Sequence, residues 1–270
     1  MGSTLLDFFS HDADILIIGK MLGAEKLGVY SLAKQIVMRL FSIINPIVIN
    51  VLSPLLSSIQ KQKEKLKSSF LKVVKYLAYI NFPVYALIIV ASKEILYYMY
   101  GPEYADAYPV LSFLAVAYCL SAIGNPVGSL QIATGRTDIG FKWTIIRVLV
   151  TPVFIFIGSI YSITAVAAFY AFLSVSLLIP LWYIQLRPMA DIRLTEYFSQ
   201  FYKPLIFLFP ITIVIYFWGE RAIIFESLII NAILKACITS ILFTAFLYFF
   251  DKKSISDFCN FVLSTLNREK

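Results

Sequence analysis

The stretch Ser10-His11-Asp12-Ala13-Asp14-Ile15-Leu16-Ile17-Ile18-Gly19 reads as the interior of a membrane helix, although it lies almost at the first residue. It holds two aspartates and the only histidine of the chain. Ionisable side chains are rare in lipid and mark functional positions when they occur there. A chain that opens inside such a span is expected to be the second half of something larger.

The surrounding composition agrees with a membrane reading. Of 270 residues, 60% are hydrophobic and 14% charged, whereas a soluble domain carries about 25% charged residues. Mean hydropathy is +0.81. Several apolar runs reach the roughly 20 residues that a helix needs to cross a bilayer. The pattern predicts eight helices: Leu5–Met21, Tyr30–Leu55, Phe70–Tyr98, Ala107–Gln131, Trp143–Tyr161, Thr164–Ile184, Tyr202–Trp218 and Ile224–Phe250. Turn signals separate them at Gly23 and Gly28, Gly101-Pro102, Gly135-Arg136-Thr137-Asp138 and Gly219-Glu220. The fold class expected is therefore all-α, a polytopic transmembrane bundle of about eight helices.

Charge sets the orientation, because cytoplasmic connections are enriched in Lys and Arg. The 56–75 segment, the 131–147 turn, the 185–204 loop and the C-terminal tail hold 16 of the 23 basic residues. The alternate connections hold four: Lys20, Lys26, Lys93 and Arg221. Both termini are accordingly expected on the cytoplasmic side. The net charge of +7 is accounted for as an orientation signal, so no nucleic-acid partner is expected. In the tail, Ile255, Phe258, Val262 and Leu266 repeat at helical spacing, which fits either a helix lying on the inner membrane surface or a weakly ordered end. Three cysteines, Cys119, Cys237 and Cys259, form no framework and are expected to be reduced.

No enzyme constellation is present. A single His makes a His-based metal site improbable, and there is no phosphate loop, nucleophile elbow or paired Cys motif. No cofactor is expected. The polar residues inside the spans carry the functional question. At about 100° per residue, Gln35, Arg39, Ser42, Pro46, Asn50, Ser53 and Ser57 fall in one stripe of the second helix. Such a stripe on an apolar helix is the wall of a water-filled cavity or a hydrogen-bonded packing face. Pro46 tends to kink the helix. Lys34 points away from Arg39, with snorkelling to the outer surface and a functional role equally open. Lys235, mid-way along the last helix with Asn231 and Thr239 one turn away, needs a partner or water. Asp7, His11 and Asp14 share a face of the first helix at i, i+4, i+7, a candidate ion-coupling face. Gly124 and Gly128 form a GxxxG, which permits close helix contact.

The pattern Asp14-Ile-Leu-Ile-Ile-Gly19, Leu22-Gly23 and Leu27-Gly28-Val29-Tyr30-Ser31-Leu32-Ala33 resembles the seventh-helix region of bacterial polysaccharide flippases. These belong to the multidrug/oligosaccharidyl-lipid/polysaccharide exporter superfamily, and the subgroup is that of colanic acid and teichuronic acid exporters. Leu52-Ser53-Pro54-Leu55-Leu56-Ser57 and Asn125-Pro126-Val127-Gly128-Ser129-Leu130 leading into Ala133-Thr134-Gly135-Arg136-Thr137-Asp138 resemble it further. The family usually has Asn after its Asp, where this chain has Ile15.

The resemblance implies a transporter of two six-helix lobes around a cationic cavity. Residues 1–186 would be the second lobe, 187–250 a terminal helix pair and 251–270 a cytoplasmic tail. Such proteins flip isoprenoid-linked oligosaccharide across the bacterial plasma membrane. Arg39, with Gln35, Asn50, Lys34 and Lys235, would line the cavity and hold the anionic head. Expected partners are a lipid-linked oligosaccharide, membrane lipids, and a missing N-terminal lobe or polysaccharide biosynthesis enzymes. Two alternatives stand beside this: half of a cation-coupled multidrug exporter, and a non-transporting scaffold for biosynthetic enzymes.

Overall fold

In the computed structural model, residues 13–221 and 228–250 are described. Helix is the sole regular element among them. Helix α1 covers residues 13–22 and α2 Ala24–Ser58. Between them Gly23 has φ 85°, a conformation that glycine adopts without steric cost. The chain reverses there: Asp14 and Lys34, 20 residues apart, meet at 2.7 Å, whereas an unbroken helix would separate them by about 30 Å.

Helix α3 spans Lys63–Val90 and breaks at Ala91 before α4, Ser92–Tyr100. A 3₁₀ turn over Pro102–Ala107 leads to α5, Tyr108–Gly124, and a turn at Asn125-Pro126 to α6, Val127–Thr134. Helix α7 is Thr137–Tyr161 and α8 Ile163–Ser176. The latter runs on through α9, Leu178–Leu181, a wide π turn over Trp182–Leu186 and α10, Arg187–Ala190. A short α11, Leu194–Phe198, precedes α12, Tyr202–Arg221, and α13, Leu228–Phe250.

Six helical runs among the described residues are long and apolar enough to cross a membrane. One of them, Ala13–Ser58, contains the Gly23 reversal, and Tyr202–Phe217 is a shorter apolar helix. The all-α polytopic bundle expected from the sequence is the observed architecture. Its centre is α5, which packs on α2, α3, α4 and α8. The run Pro102–Thr134 buries 67% of its most apolar window, and Ala13–Ser58 only 18%. Leu77, Tyr85, Leu111, Leu114 and Ile123 form the fully buried heart. Helix α12 packs on α3 and α13, and α13 on α3 and α4, so these two helices lie against the rest of the bundle.

Three expectations are corrected. The helix placed at Trp143 begins six residues earlier, at Thr137, immediately after Gly135 closes α6 in a left-handed conformation. Lys142 and Arg147 therefore belong to a helix rather than to a basic turn. Phe70–Tyr98 is two helices, α3 and α4, and Ala107–Gln131 is likewise divided, at Asn125-Pro126. Finally, a Cβ at Gly124 or Gly128 would meet nothing within 4 Å, so that GxxxG makes no close contact. A close backbone contact lies instead at Gly158, where a Cβ would lie 2.7 Å from Val166 Cα, and α7 and α8 touch backbone to backbone. Asp7, His11 and the 251–270 tail lie outside the described residues.

Candidate functional site: two polar faces of the second helix

Helix α2 carries polar groups on two sides. On the outer side Gln35, Arg39, Ser42, Pro46 and Asn50 are all exposed. Arg39 lies 15 residues into α2, about 22 Å from its start, and forms no ion pair among the described residues. Pro46 and Pro54 lack an N–H, so the carbonyls of Ser42 and Asn50, four residues earlier, lose their helical donors. Both belong to the same stripe. A cation, two side-chain amides and two uncommitted carbonyls thus share one exposed face of an otherwise apolar helix. Lipid tails cannot satisfy such groups. The inner end of the stripe is different: Ser53 bonds the Ser129 hydroxyl of α6 at 2.6 Å, and Ser57 donates to the Ser53 carbonyl. There the stripe packs rather than opens.

On the opposite side, Lys34 Nζ donates to Asp14 Oδ2 at 2.7 Å. The two side chains are only 10% and 9% exposed, which excludes snorkelling to the surface. The second carboxylate oxygen, Oδ1, accepts from the Ile15 backbone N–H at 2.9 Å. The Tyr30 hydroxyl faces the same carboxylate. Asp14 and Lys34 were separate candidates in the sequence, one for ion coupling and one for the cavity. The fold makes them a single buried pair.

Lys235 lies away from both faces. It pairs with Glu94 at 2.5 Å, joining α13 to the first turn of α4, where the helix N-terminus favours a negative charge. Asn231 and Thr239, one turn to either side, are buried with it. The other Glu94 oxygen, Oε2, is buried without a hydrogen-bond partner. The pair acts as a staple between α13 and α4.

Two residues escaped the sequence reading. Glu94 falls inside the predicted helix Phe70–Tyr98 and is not singled out there; its partner is 141 residues away. Arg147 was counted with a basic turn, yet it lies ten residues into α7, about 15 Å along the helix. Its charge bears on the hydroxyls of Tyr118 on α5 and Tyr170 on α8. Thr137 and Asp138 directly after the Gly135 turn are the signal that marks the earlier helix start. Among the described residues no group of three His, Cys, Asp or Glu could hold a metal ion.

At the lobe's basic end a second clamp forms outside the spans. Lys67 Nζ bonds Glu196 Oε2 at 2.7 Å and donates to the Asp191 carbonyl at 3.0 Å. Glu196 also accepts from the Arg193 N–H. The Lys67 hydrogen bond, reinforced by that N–H, holds the Glu196 carboxyl below its ordinary value. Trp182 Nε1 donates to the Ile192 carbonyl at 2.8 Å, tying the same segment down from α8's extension.

Residues 1–109 match the family described as Polysaccharide biosynthesis protein. Over 206 residues the chain is 32% identical to the teichuronic acid biosynthesis protein TuaB of Bacillus subtilis, covering 76% of this chain and 42% of that protein. It is 27% identical to the lipopolysaccharide biosynthesis protein WzxC of Escherichia coli, covering 81% of this chain and 44% of that one. The succinoglycan biosynthesis transport protein ExoT of Rhizobium meliloti is 21% identical, over 59% of this chain and 32% of its own length. No solved structure matches. The resemblance read from the sequence holds, and the chain spans less than half the length of these curated relatives.

Proposed function

We propose that this chain is one lobe of a transporter that moves isoprenoid-linked oligosaccharide from the inner to the outer leaflet of a bacterial plasma membrane. The exposed stripe of α2 is the wall that faces the substrate, with Arg39 holding the anionic head and Gln35 and Asn50 meeting sugar hydroxyls. One observation carries this reading: Arg39 is exposed and without an ion pair among the described residues, on a helix that lipid alone could not accommodate. The likeness to polysaccharide biosynthesis and transport proteins supplies the class of cargo. Covering less than half of those relatives, the chain fits the role of one rocking body in alternating access, which takes two. The Lys/Arg pattern supports both termini on the cytoplasmic side.

The pairing of Asp14 with Lys34 counts against the multidrug alternative. A coupling cation would have to compete with an ammonium already held at 2.7 Å.

The test is Arg39→Ala in cells carrying the complete transporter, with surface polysaccharide measured at matched protein level. We expect a severalfold fall. Normal export would remove Arg39 from the substrate path and with it the main support for this reading.

A further inference from the structure

The end of the bundle at which α3 begins is strongly charged. Residues 58–75 and 187–203 hold nine Lys and Arg against three acids, which gives them +6 of the chain's net +7. The two stretches share one surface in the fold. Helix α10 packs on α3, and Lys67 bonds both Glu196 and the Asp191 carbonyl, 124 residues away. Glu196 is thereby engaged; Glu64 and Asp191 are exposed among the cations. Lys61, Lys63, Lys65, Lys72 and Arg187 are exposed too, and none of these five forms an ion pair among the described residues.

Helix length sets the depth of these cations. Helix α3 has 28 residues and is about 42 Å long, against a hydrocarbon layer about 30 Å thick. Its later part, Tyr76–Val90, holds no charge. The excess of about 12 Å, roughly eight residues, therefore falls at the Lys63 end. Lys63, Lys65 and Lys67 stand there at headgroup level, and Lys72 at its edge reaches it along an apolar stem. Aromatic side chains mark the same level. Tyr183 and Tyr202 are exposed on either side of the charged segment, and the Arg187 guanidinium lies 5.7 Å over the Tyr183 ring. No described side chain caps the start of α3, so the positive end of its dipole adds to the field.

Orientation alone does not account for this arrangement. An orientation signal depends on the number of Lys and Arg beside a span. It needs neither a helix prolonged beyond the hydrocarbon nor a second segment clamped beside it. Here Lys67, together with the bond from Trp182 Nε1 to the Ile192 carbonyl, fixes the cations of both stretches relative to one another. An acidic protein would meet the same charges, but the helix depth and the flanking tyrosines put them inside the headgroup layer, where lipid phosphates are the adjacent anions.

We propose that the start of α3 and the 187–203 segment form a plate that binds anionic phospholipid headgroups of the surrounding membrane, with Lys61, Lys63, Lys65, Lys72 and Arg187 as its contacts. Clusters of about four to eight Lys and Arg beside a membrane helix attract acidic lipids, and the attraction fades within a Debye length. Arg39 lies 19 residues from the end of α2, about 28 Å along the helix from this plate. The plate is thus apart from the exposed stripe and does not rest on the transport reading.

The full chain in phosphatidylcholine nanodiscs carrying a small share of spin-labelled lipid tests this. The fraction of label immobilised at the protein surface is compared for phosphatidylglycerol and phosphatidylcholine. Both leaflets have one composition, so the orientation of the chain does not enter. Phosphatidylglycerol is expected to be preferred about fivefold at about 0.1 M salt. At about 1 M salt, where the Debye length is about 3 Å, that preference should largely vanish. The variant Lys61→Gln/Lys63→Gln/Lys65→Gln/Lys72→Gln is expected to lose most of it, Lys→Arg at the same positions to keep it, and Lys93→Gln at the opposite end to leave it unchanged. Equal retention of the two lipids by the parent chain overturns the proposal and leaves the charges to an acidic protein partner. A preference that survives high salt, or the four Lys→Gln changes, overturns it as well. Should the fourfold variant not fold, Lys61→Gln/Lys63→Gln takes its place and is expected to lower the preference about twofold; an unchanged value in that pair overturns the proposal.

Discussion

Lys34 and Arg39 lie five residues apart on α2 and occupy opposite surroundings. Lys34 is buried against Asp14; Arg39 is exposed, and no described acid pairs with it. In a membrane the first arrangement is a finished structural contact. The second needs something from outside the chain, either water or a ligand. The Glu94–Lys235 staple repeats the first arrangement between α4 and α13. The difference separates what holds this lobe together from what it offers to a partner.

The largest effect should fall on the buried pair. Lys34→Met strands the Asp14 carboxylate, and removing one partner of a buried pair costs about 3–5 kcal/mol. Thermal melts of the reconstituted chain should show this loss, and Asp14→Asn combined with Lys34→Met should restore most of it. A Lys34→Met chain as stable as the parent would erase the contrast with Arg39. Arg39→Ala should change stability by no more than about 0.5 kcal/mol, as for a surface position, even though export falls. A loss comparable to that of Lys34→Met would make Arg39 a structural residue too.

A similarly small effect on stability should come from the Lys67–Glu196 pair, whose acid side chain is 35% exposed. Exposed pairs contribute about 0.2–1 kcal/mol. Because the Glu196 carboxyl is held below its ordinary value, its contribution is complete above the unfolded pKa of about 4.3 and fades as pH falls through the folded value. The stability difference between parent and Glu196→Gln should therefore be present at neutral pH and vanish in acid. A difference that persisted in acid would assign the contact to packing rather than charge.

Most of the fold was legible because apolar run length and turn residues report directly on membrane helices. The stripe of α2 was legible for the same reason, since helical periodicity is local. What could not be read were the pairings. Asp14 meets Lys34 only because the chain reverses at Gly23, and Glu94 meets Lys235 across 141 residues. Arg147 was misassigned because a cation near a glycine turn satisfies the orientation rule wherever the helix begins. Thr137 and Asp138 after Gly135 mark the true start. The GxxxG at Gly124 proved empty and Gly158 proved tight, since a spacing motif says which backbones can touch and not which do.

The reversal at Gly23 has a consequence for biogenesis. A translocon presented with α1 alone would have to partition an aspartate into lipid, and with the first half of α2 alone a lysine. Each such charge costs about 2.5–3.5 kcal/mol at a helix centre on insertion scales. Joined by a single glycine, α1 and α2 can leave the channel as a hairpin whose charges already neutralise one another, so these two helices are built to enter the membrane together.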